Sequence, residues 1–371
     1  MAMRDANHQN LSKLQIEAVM SVSPSKETLP RQVRQVLMSH TDSLVNPNAI
    51  HGSYQIVLYY ENLNEEDPDM FLAGWIVESI CSALFKHPLL AGRLIDNKGL
   101  LEIVSNDSGI RLYEARFPMI LSEFLALSEK EHLEAELVFW KEIDEHNPQF
   151  SPLFYVQVTQ FECGGYSIGI SCSLLLADVL VAENFLKTWT EIHKNMFLQN
   201  EEIKAPIYYH PLLKKKFESP SGDVISRTPT NKARNIVFKV TAKDFSFNKE
   251  LWRDLAMLCV AEAEHKLHKK MWTNFNLFVK ESSDVIKVEG YAKNGKYKEV
   301  LDQSLNNQIS GATWIDFGDH VTFHEGNKPV LVSRWIGSTA DGKVIVVPCP
   351  EEDASAVIVS FPFEKELENG F

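Results

Sequence analysis

Three groupings in the 371-residue chain bring together side chains able to do chemistry. His320 and His324 stand four residues apart, with Glu325 beside them. On a helix that spacing would suit a metal ion. The intervening Val321-Thr322-Phe323 favours a strand instead. Four strand residues span roughly 13 Å, whereas Zn–N bonds are about 2 Å, so one ion cannot join both rings and no metal is expected. His324 and Glu325 remain a titratable pair able to move a proton; the alternative is a solvated strand end. Gly169-Ile170-Ser171-Cys172-Ser173 comes close to the nucleophile elbow G-x-S-x-G. It lacks the last glycine and sits inside an alternating strand run, so it carries no hydrolase signal.

The third grouping is a junction. A strand-like run ends in Leu174-Leu175-Leu176-Ala177-Asp178, and a helix-like run follows at once. Leu174, with Ser173 and Cys172 before it, could line a ligand pocket. The alternative makes Leu174 a core leucine and Ser173 a backbone-satisfied serine. Asp178 could act as an acid or base, but an aspartate just ahead of an apolar-periodic helix is favoured there as an N-cap. His265 and His268 lie at helical spacing among Glu262, Glu264, Lys266 and Lys269, the pattern of a solvated face. Neither G-x-G-x-x-G nor a phosphate loop occurs.

The elements that must position these residues can be read from periodicity. Residues 14–21 and 54–60 are β-rich. Leu72, Ile76, Ile80 and Leu84 recur at helical spacing, and that helix should stop before His87-Pro88. Residues 101–115 predict two strands around a turn at 106–109. Residues 122–145, rich in Glu and Lys, predict one or two surface helices. Alternating runs flank Cys163-Gly164-Gly165, the signature of a tight hairpin. In its second strand Ile168, Ile170, Cys172 and Leu174 share one face, and Ser167, Gly169, Ser171 and Ser173 the other. Val181, Phe185, Trp189, Ile192 and Met196 then mark a helix. Residues 217–235 predict a linker, polar and without periodicity. Beyond it come a strand at 236–241, a helix near 249–269, strands at 274–280 and 285–289, and a hairpin between 343–348 and 355–361.

Hydrophobic residues make up 44% and charged residues 23%, which fits a globular protein. The net charge of −13 argues against nucleic acid as a partner. No apolar run reaches eighteen residues and the first thirteen are polar, so neither a membrane span nor a signal peptide is expected, and the cytoplasm is the default address. Five cysteines lie far apart with no C-x-x-C pair; reduced thiols in packed interiors are expected.

Several stretches, taken together, resemble the plant BAHD acyltransferases. Residues 87–94, HPLLAGRL, are similar to that family's P-L-A-G-R-L segment. Residues 101–116 are similar to its I-x-C-N-D-x-G-V-x-F-x-E-A stretch. The hairpin, the L-L-A-D run and the F-L-K-T-W helix over 159–189 resemble the surroundings of H-x-x-x-D. Residues 311–333 resemble the surroundings of D-F-G-W-G. The resemblance implies an α/β fold of two similar mixed-sheet domains, of the CoA-dependent (chloramphenicol acetyltransferase-like) type. It implies acyl transfer from coenzyme A to a hydroxyl or amine in a channel between the domains. The expected division is an N-terminal domain over 1–216, a crossover linker over 217–235 and a shortened C-terminal domain over 236–371.

The chain departs from the pattern where it matters. Asp178 matches the motif aspartate, but Leu174 stands where the histidine base belongs. Leucine accepts no proton at any pH. Asp316-Phe317-Gly318 imitates D-F-G; anchoring on Thr313-Trp314 and Lys328-Pro329-Val330 instead puts the second motif on Phe323-His324-Glu325-Gly326-Asn327, which matches nowhere. Losing a general base costs roughly 10²–10⁴ in rate, or about 3–5 kcal/mol. Orientation alone can supply about 7–11 kcal/mol to an intrinsically reactive substrate. Three functions follow: a repurposed enzyme of plant specialised metabolism catalysing cyclisation, elimination or isomerisation in the inter-domain pocket; a non-catalytic accessory binding a metabolite or a partner enzyme; or an acyltransferase with a substitute base. The first is preferred. No cofactor is expected except acyl-CoA under the third. The expected partners are a small plant metabolite and a partner enzyme, and the expected state is monomeric.

Overall fold

The computed structural model describes residues 14–40, 47–61, 72–128, 130–176, 179–199, 234–241, 249–270, 274–292, 309–314, 322–323, 326–337, 342–348 and 354–361. In chain order the elements are β1 (Gln15–Val22), β2 (Val33–His40), β3 (Ser53–Tyr60), α1 (Leu72–Lys86), β4 (Arg93–Asn97), β5 (Leu100–Val104), β6 (Ile110–Phe117), α2 (Leu121–Ala126), α3 (Lys130–Glu134), β7 (Phe154–Phe161), β8 (Tyr166–Ser173) and α4 (Val179–Gln199). The second half adds β9 (Arg234–Thr241), α5 (Lys249–Leu267), β10 (Asn274–Lys280), β11 (Val285–Ala292), β12 (Ile309–Ala312), β13 (Leu331–Ile336), β14 (Gly342–Pro348) and β15 (Ala354–Phe361).

These strands form two mixed sheets. One has six strands in the order β1-β6-β7-β8-β3-β13, the other nine in the order β12-β9-β15-β14-β10-β11-β2-β5-β4. The α/β class is therefore as expected. The halves trade strands: β13 closes the edge of the first sheet, while β2, β5 and β4 extend the second. Of the linker stretch 217–235, residues 217–233 lie outside the described residues.

Local chemistry explains the elements. α1 ends at Lys86 because His87 precedes proline. Gly164 takes φ +79° in the β7–β8 turn, a backbone that glycine tolerates without a Cβ penalty. The β14–β15 hairpin is also present. The strands on either side of Ser105–Gly109 are not a hairpin: β5 belongs to the nine-stranded sheet and β6 to the six-stranded one. Polar groups hold this crossing. Arg93 donates to the carbonyls of Gly92, Gly109 and Ser108 at 2.8, 2.7 and 3.2 Å. Burial pushes its pKa down, to about 10, which leaves the guanidinium a cation at neutral pH. Asp107 accepts the amide and hydroxyl of Thr28.

Residues 122–145 differ from the surface helices expected of them. After two short helices and a 3-10 turn, Val138–Ile143 runs without helix and carries buried Val138, Phe139, Trp140 and Ile143. Phe139 stacks on Tyr113 at 3.9 Å, and Trp140 meets Tyr155 edge-on at 5.5 Å. The abundant Glu and Lys signalled exposure, but the aromatic pair decides the packing. This strap covers the face of the six-stranded sheet that bears Ser167, Gly169, Ser171 and Ser173. Glu134 at its start is buried and accepts from Tyr59 (3.0 Å) and from Ser333 of β13 (2.7 Å).

The opposite face of that sheet carries Ile56, Leu58, Tyr60, Ile168, Ile170 and Cys172. It shares one core with α1, α4 and the facing side of the nine-stranded sheet, including Phe278, Val288, Ile345 and Ile358. A second core packs α5 on the far side of the nine-stranded sheet. Among the described residues, no helix is long and apolar enough to cross a membrane.

Candidate functional site

The junction between β8 and α4 is the place where the sequence concentrates its chemical interest. β8 ends at Ser173, a 3-10 turn spans Leu174–Leu176, and α4 opens at Val179. Leu174 is 1% exposed and belongs to the shared core, together with Leu175 and Leu176. Its amide donates to Gly52 at 3.1 Å, and that of Ser173 donates to Leu153 at 2.8 Å. The Ser173 hydroxyl accepts the Leu175 amide at 3.2 Å, so it serves the turn's own backbone. The Cys172 thiol is buried on the core side. The structure thus brings Cys172, Ser173 and Leu174 into one closed, well-tied turn.

Asp178, His324 and Glu325 lie outside the described residues, as does the decoy Asp316-Phe317-Gly318. Their near neighbours are placed. Phe323 is buried with its ring edge-to-face on Tyr60 (5.8 Å), Trp189 (4.6 Å) and His193 (5.4 Å). Trp314 lies 5.5 Å from Tyr54, at the opposite end of β3. Asn327 donates to the Glu61 carbonyl at 3.3 Å. Two aromatic contacts therefore pin the second half along the core face of β3.

Sequence reasoning missed three residues here. Arg34 on β2 is 6% exposed; it donates to the Leu176 carbonyl at 2.8 Å and to that of Ser283 at 3.0 Å. It thereby ties the 3-10 turn to the β10–β11 turn of the other half. The one available signal was an arginine in register with Val36 and Met38 on an apolar strand face. Ser79 and His193 are the others. Ser79 donates to Ile76 at 3.0 Å, accepts from Trp189 Nε1 at 2.8 Å and meets His193 Nδ1 at 3.0 Å. With the hydroxyl proton on Ile76, His193 Nδ1 carries the ring proton and donates. This clasp fastens α1 to α4 beneath Phe323.

His87 contacts Thr188 Oγ1 through Nε2 at 3.0 Å, and its pKa is lowered by burial first and by Lys86 second. A histidine held below its ordinary 6.5 takes up its proton sooner in the unfolded chain. Its contribution to stability is therefore full above about pH 6.5 and is lost as pH falls toward the lower folded value. The urea midpoint of the wild type should drop more between pH 7.5 and 5.5 than that of His87→Gln; equal drops would refute the assignment.

Among the described residues no cluster of three or more His, Cys, Asp or Glu could hold a metal. Cys81, Cys172 and Cys259 are buried, and Cys163 is exposed where a buried thiol was expected. Burial pushes the Cys259 thiol up to about 12, which makes it unreactive at neutral pH.

Residues 13–280 match the model of the Transferase family, nearly three-quarters of the chain. The chain belongs to the BAHD acyltransferase family. This BAHD protein is 37% identical over 317 residues to Protein ECERIFERUM 2 of Arabidopsis thaliana, a match covering 70% of this chain and 74% of that one. It is 28% identical over 196 residues to anthranilate N-benzoyltransferase protein 1 of Dianthus caryophyllus, and there it takes in 43% of the relative's length. The crystal structure of vinorine synthase aligns over 94% of this chain and 95% of its own, with 15% identity and a TM-score of 0.47.

Proposed function

We propose that this BAHD protein has given up base-assisted acyl transfer and serves as a non-catalytic accessory. In this reading it holds an apolar plant metabolite between its two sheets and hands it to a partner enzyme. The observation that carries the reading is Leu174. It occupies the position where the family pattern puts the base, and it is sealed in the core at 1% exposure. A missing base withdraws roughly 10²–10⁴ in rate. A repurposed catalyst would instead use the junction as the wall of an open pocket, so the closed turn weighs toward binding and away from that reading. Asp178 then serves as a helix cap, and His324 and Glu325 have no proton to move. The unit is taken as two halves, 1–216 and 236–371, joined through 217–235 with the second half shortened.

Three measurements on the purified chain test this. Acyl-CoAs offered with alcohol and amine acceptors should give no product above the enzyme-free rate. Native mass spectrometry after incubation with plant extract should show a retained, chemically unchanged small molecule. Affinity capture from the same tissue should return a stable enzyme. Steady acyl transfer would restore the ordinary transferase reading, and a metabolite consumed by the protein would restore the repurposed enzyme.

A further inference from the structure

Among the described residues the exposed large hydrophobic side chains are Val19, Leu29, Val33, Phe85, Phe150 and Val330. Four of them collect at one end of the protein. There β1 stops at Val22 opposite Ile110, the first residue of β6, and β6 and β7 start side by side. The segment that leaves β1 carries Leu29 and enters β2 at Val33. It lies against the last turns of α1: the Ser25 amide donates to the Cys81 carbonyl at 2.9 Å, and the Lys26 ammonium stands 5.9 Å from the centroid of the Phe85 ring. Val33 pairs with Val104 of β5, Val104 pairs with Arg93 of β4, and the turn Pro148–Phe150 that leads into β7 packs beside β4. Phe85, Leu29, Val33 and Phe150 are thus linked neighbour to neighbour around that end. Val19 lies within β1, and Val330 sits beside Tyr59 at the other end of the sheet.

The exposure is built in. Leu29 is 73% and Phe150 74% exposed. A leucine free to turn inward gains by burial. Leu29 is held outward by bonds on both sides of it: Thr28 donates its amide and hydroxyl to Asp107, the Gln32 amide donates to Ser105 Oγ at 2.7 Å, and the Ser105 amide donates to the Gln32 carbonyl at 2.9 Å. Charge is sorted at the same place. Residues 23–34 and 85–94 contain Lys26, Arg31, Arg34, Lys86 and Arg93 with Glu27 as the lone anion, in a chain whose net charge is −13. Arg34 and Arg93 turn inward to carbonyls, whereas Lys26, Arg31 and Lys86 are exposed. Acidic residues enter on the Phe150 side, at Asp96, Asp144 and Glu145, and Glu145 stands 3.3 Å from His51. The basic edge is therefore the one that bears Leu29 and Phe85.

We infer that this end of the protein docks on an anionic lipid surface, with Leu29, Phe85 and Phe150 entering the acyl boundary and Lys26, Arg31 and Lys86 meeting the head groups. Apolar tips flanked by Lys and Arg suit the interface, because the long stems lie along apolar material while the charges stay in water. The tips come from separate elements and project singly. A protein partner would need a pocket for each, whereas a fluid bilayer takes them as they stand. The overall negative charge is screened beyond the Debye length, so the local cations decide the contact. β8 ends at this same end of the sheet, with Cys172 opposite Phe154, so docking sets the Leu174 turn toward the bilayer. The inference does not depend on the accessory reading.

Flotation of the full-length chain with vesicles tests it. Vesicles of phosphatidylcholine mixed with phosphatidylserine should carry the protein. Vesicles of phosphatidylcholine alone should bind at least about tenfold more weakly, since each cation close to an anionic surface is worth about fivefold in affinity. Leu29→Ser combined with Phe150→Ser should weaken binding to the mixed vesicles at least about tenfold. Val330→Ser, an exposed apolar residue at the other end, should change nothing. Lys26→Glu combined with Arg31→Glu should remove the preference for the mixed vesicles. All these positions are exposed, so the melting temperature should hold. A double variant that melts lower is replaced by its single substitutions, which should move binding in the same direction. Absence of binding to either vesicle overturns the inference, and equal binding to both overturns the anionic surface. Binding unchanged in both sets of variants overturns the assignment to this end. Self-association in sedimentation that Leu29→Ser with Phe150→Ser abolishes, without vesicle binding, would give the tips to a second copy of the chain instead.

Discussion

Leu174→His is expected to leave acyl transfer at the enzyme-free rate and to destabilise the protein by about 3–5 kcal/mol. The stability loss has two sources. Withdrawing a buried leucine side chain forfeits about 1.5–3 kcal/mol of apolar burial. The imidazole that replaces it brings two ring nitrogens into a turn whose neighbours are Leu175 and Leu176 in an apolar core. A polar group buried without a partner costs about 1–3 kcal/mol more. The main-chain bonds of the turn, Leu174 to Gly52 and Ser173 to Leu153, do not depend on the side chain and should survive. The variant should therefore keep its far-UV circular dichroism and melt at lower temperature. Catalysis should not return, because a base must reach the proton it abstracts and position 174 is sealed in the packed core. Turnover with acyl-CoA well above background in this single variant would overturn the proposed function.

Leu174 could be singled out in the sequence because its message is local. Alternation ran up to Ser173, helical spacing began after Asp178, and the residue between could be compared with a motif. The same locality made the glycine-bearing β7–β8 hairpin turn and the stop of α1 readable. What could not be read was partnership. Nothing in Val33–His40 says that β2 pairs with β11 in parallel, some 250 residues away in sequence. An alternating strand announces that one face is buried, not which sheet will receive it. The halves therefore looked separable in sequence, although β2, β4, β5 and β13 cross between sheets. Arg34 shows the same limit at the site. Its acceptors are carbonyls 142 and 249 residues distant, and a carbonyl oxygen is common to every residue and so leaves no mark in the sequence.

Gly169→Ala carries the other large expected effect, and its cause lies in the strap that sequence reasoning took for surface helix. A Cβ on Gly169 would sit 1.9 Å from the Leu137 carbonyl oxygen and 2.9 Å from Val138 Cγ1. The obstructing atom is backbone, so no rotamer change relieves the clash. The strap cannot lift freely either. Upstream, Gln157 Nε2 holds the Glu136 carbonyl at 2.9 Å, and downstream Phe139 and Trp140 pack on Tyr113 and Tyr155. Overpacking typically costs about 1–3 kcal/mol, and a contact pinned on both sides belongs at or above the top of that range, about 3 kcal/mol. Ser171→Ala, two residues along the same face, is the control. The Ser171 hydroxyl is buried without a hydrogen-bond partner, so removing it should be neutral or mildly stabilising. Urea unfolding followed by tryptophan fluorescence reads both variants, and equal midpoints would refute the close approach. The small residues at 167, 169, 171 and 173 thus have a steric explanation: they keep one sheet face shallow enough for a chain segment to lie across it. That demand comes from the strap, and the face it shapes is the one turned away from Leu174.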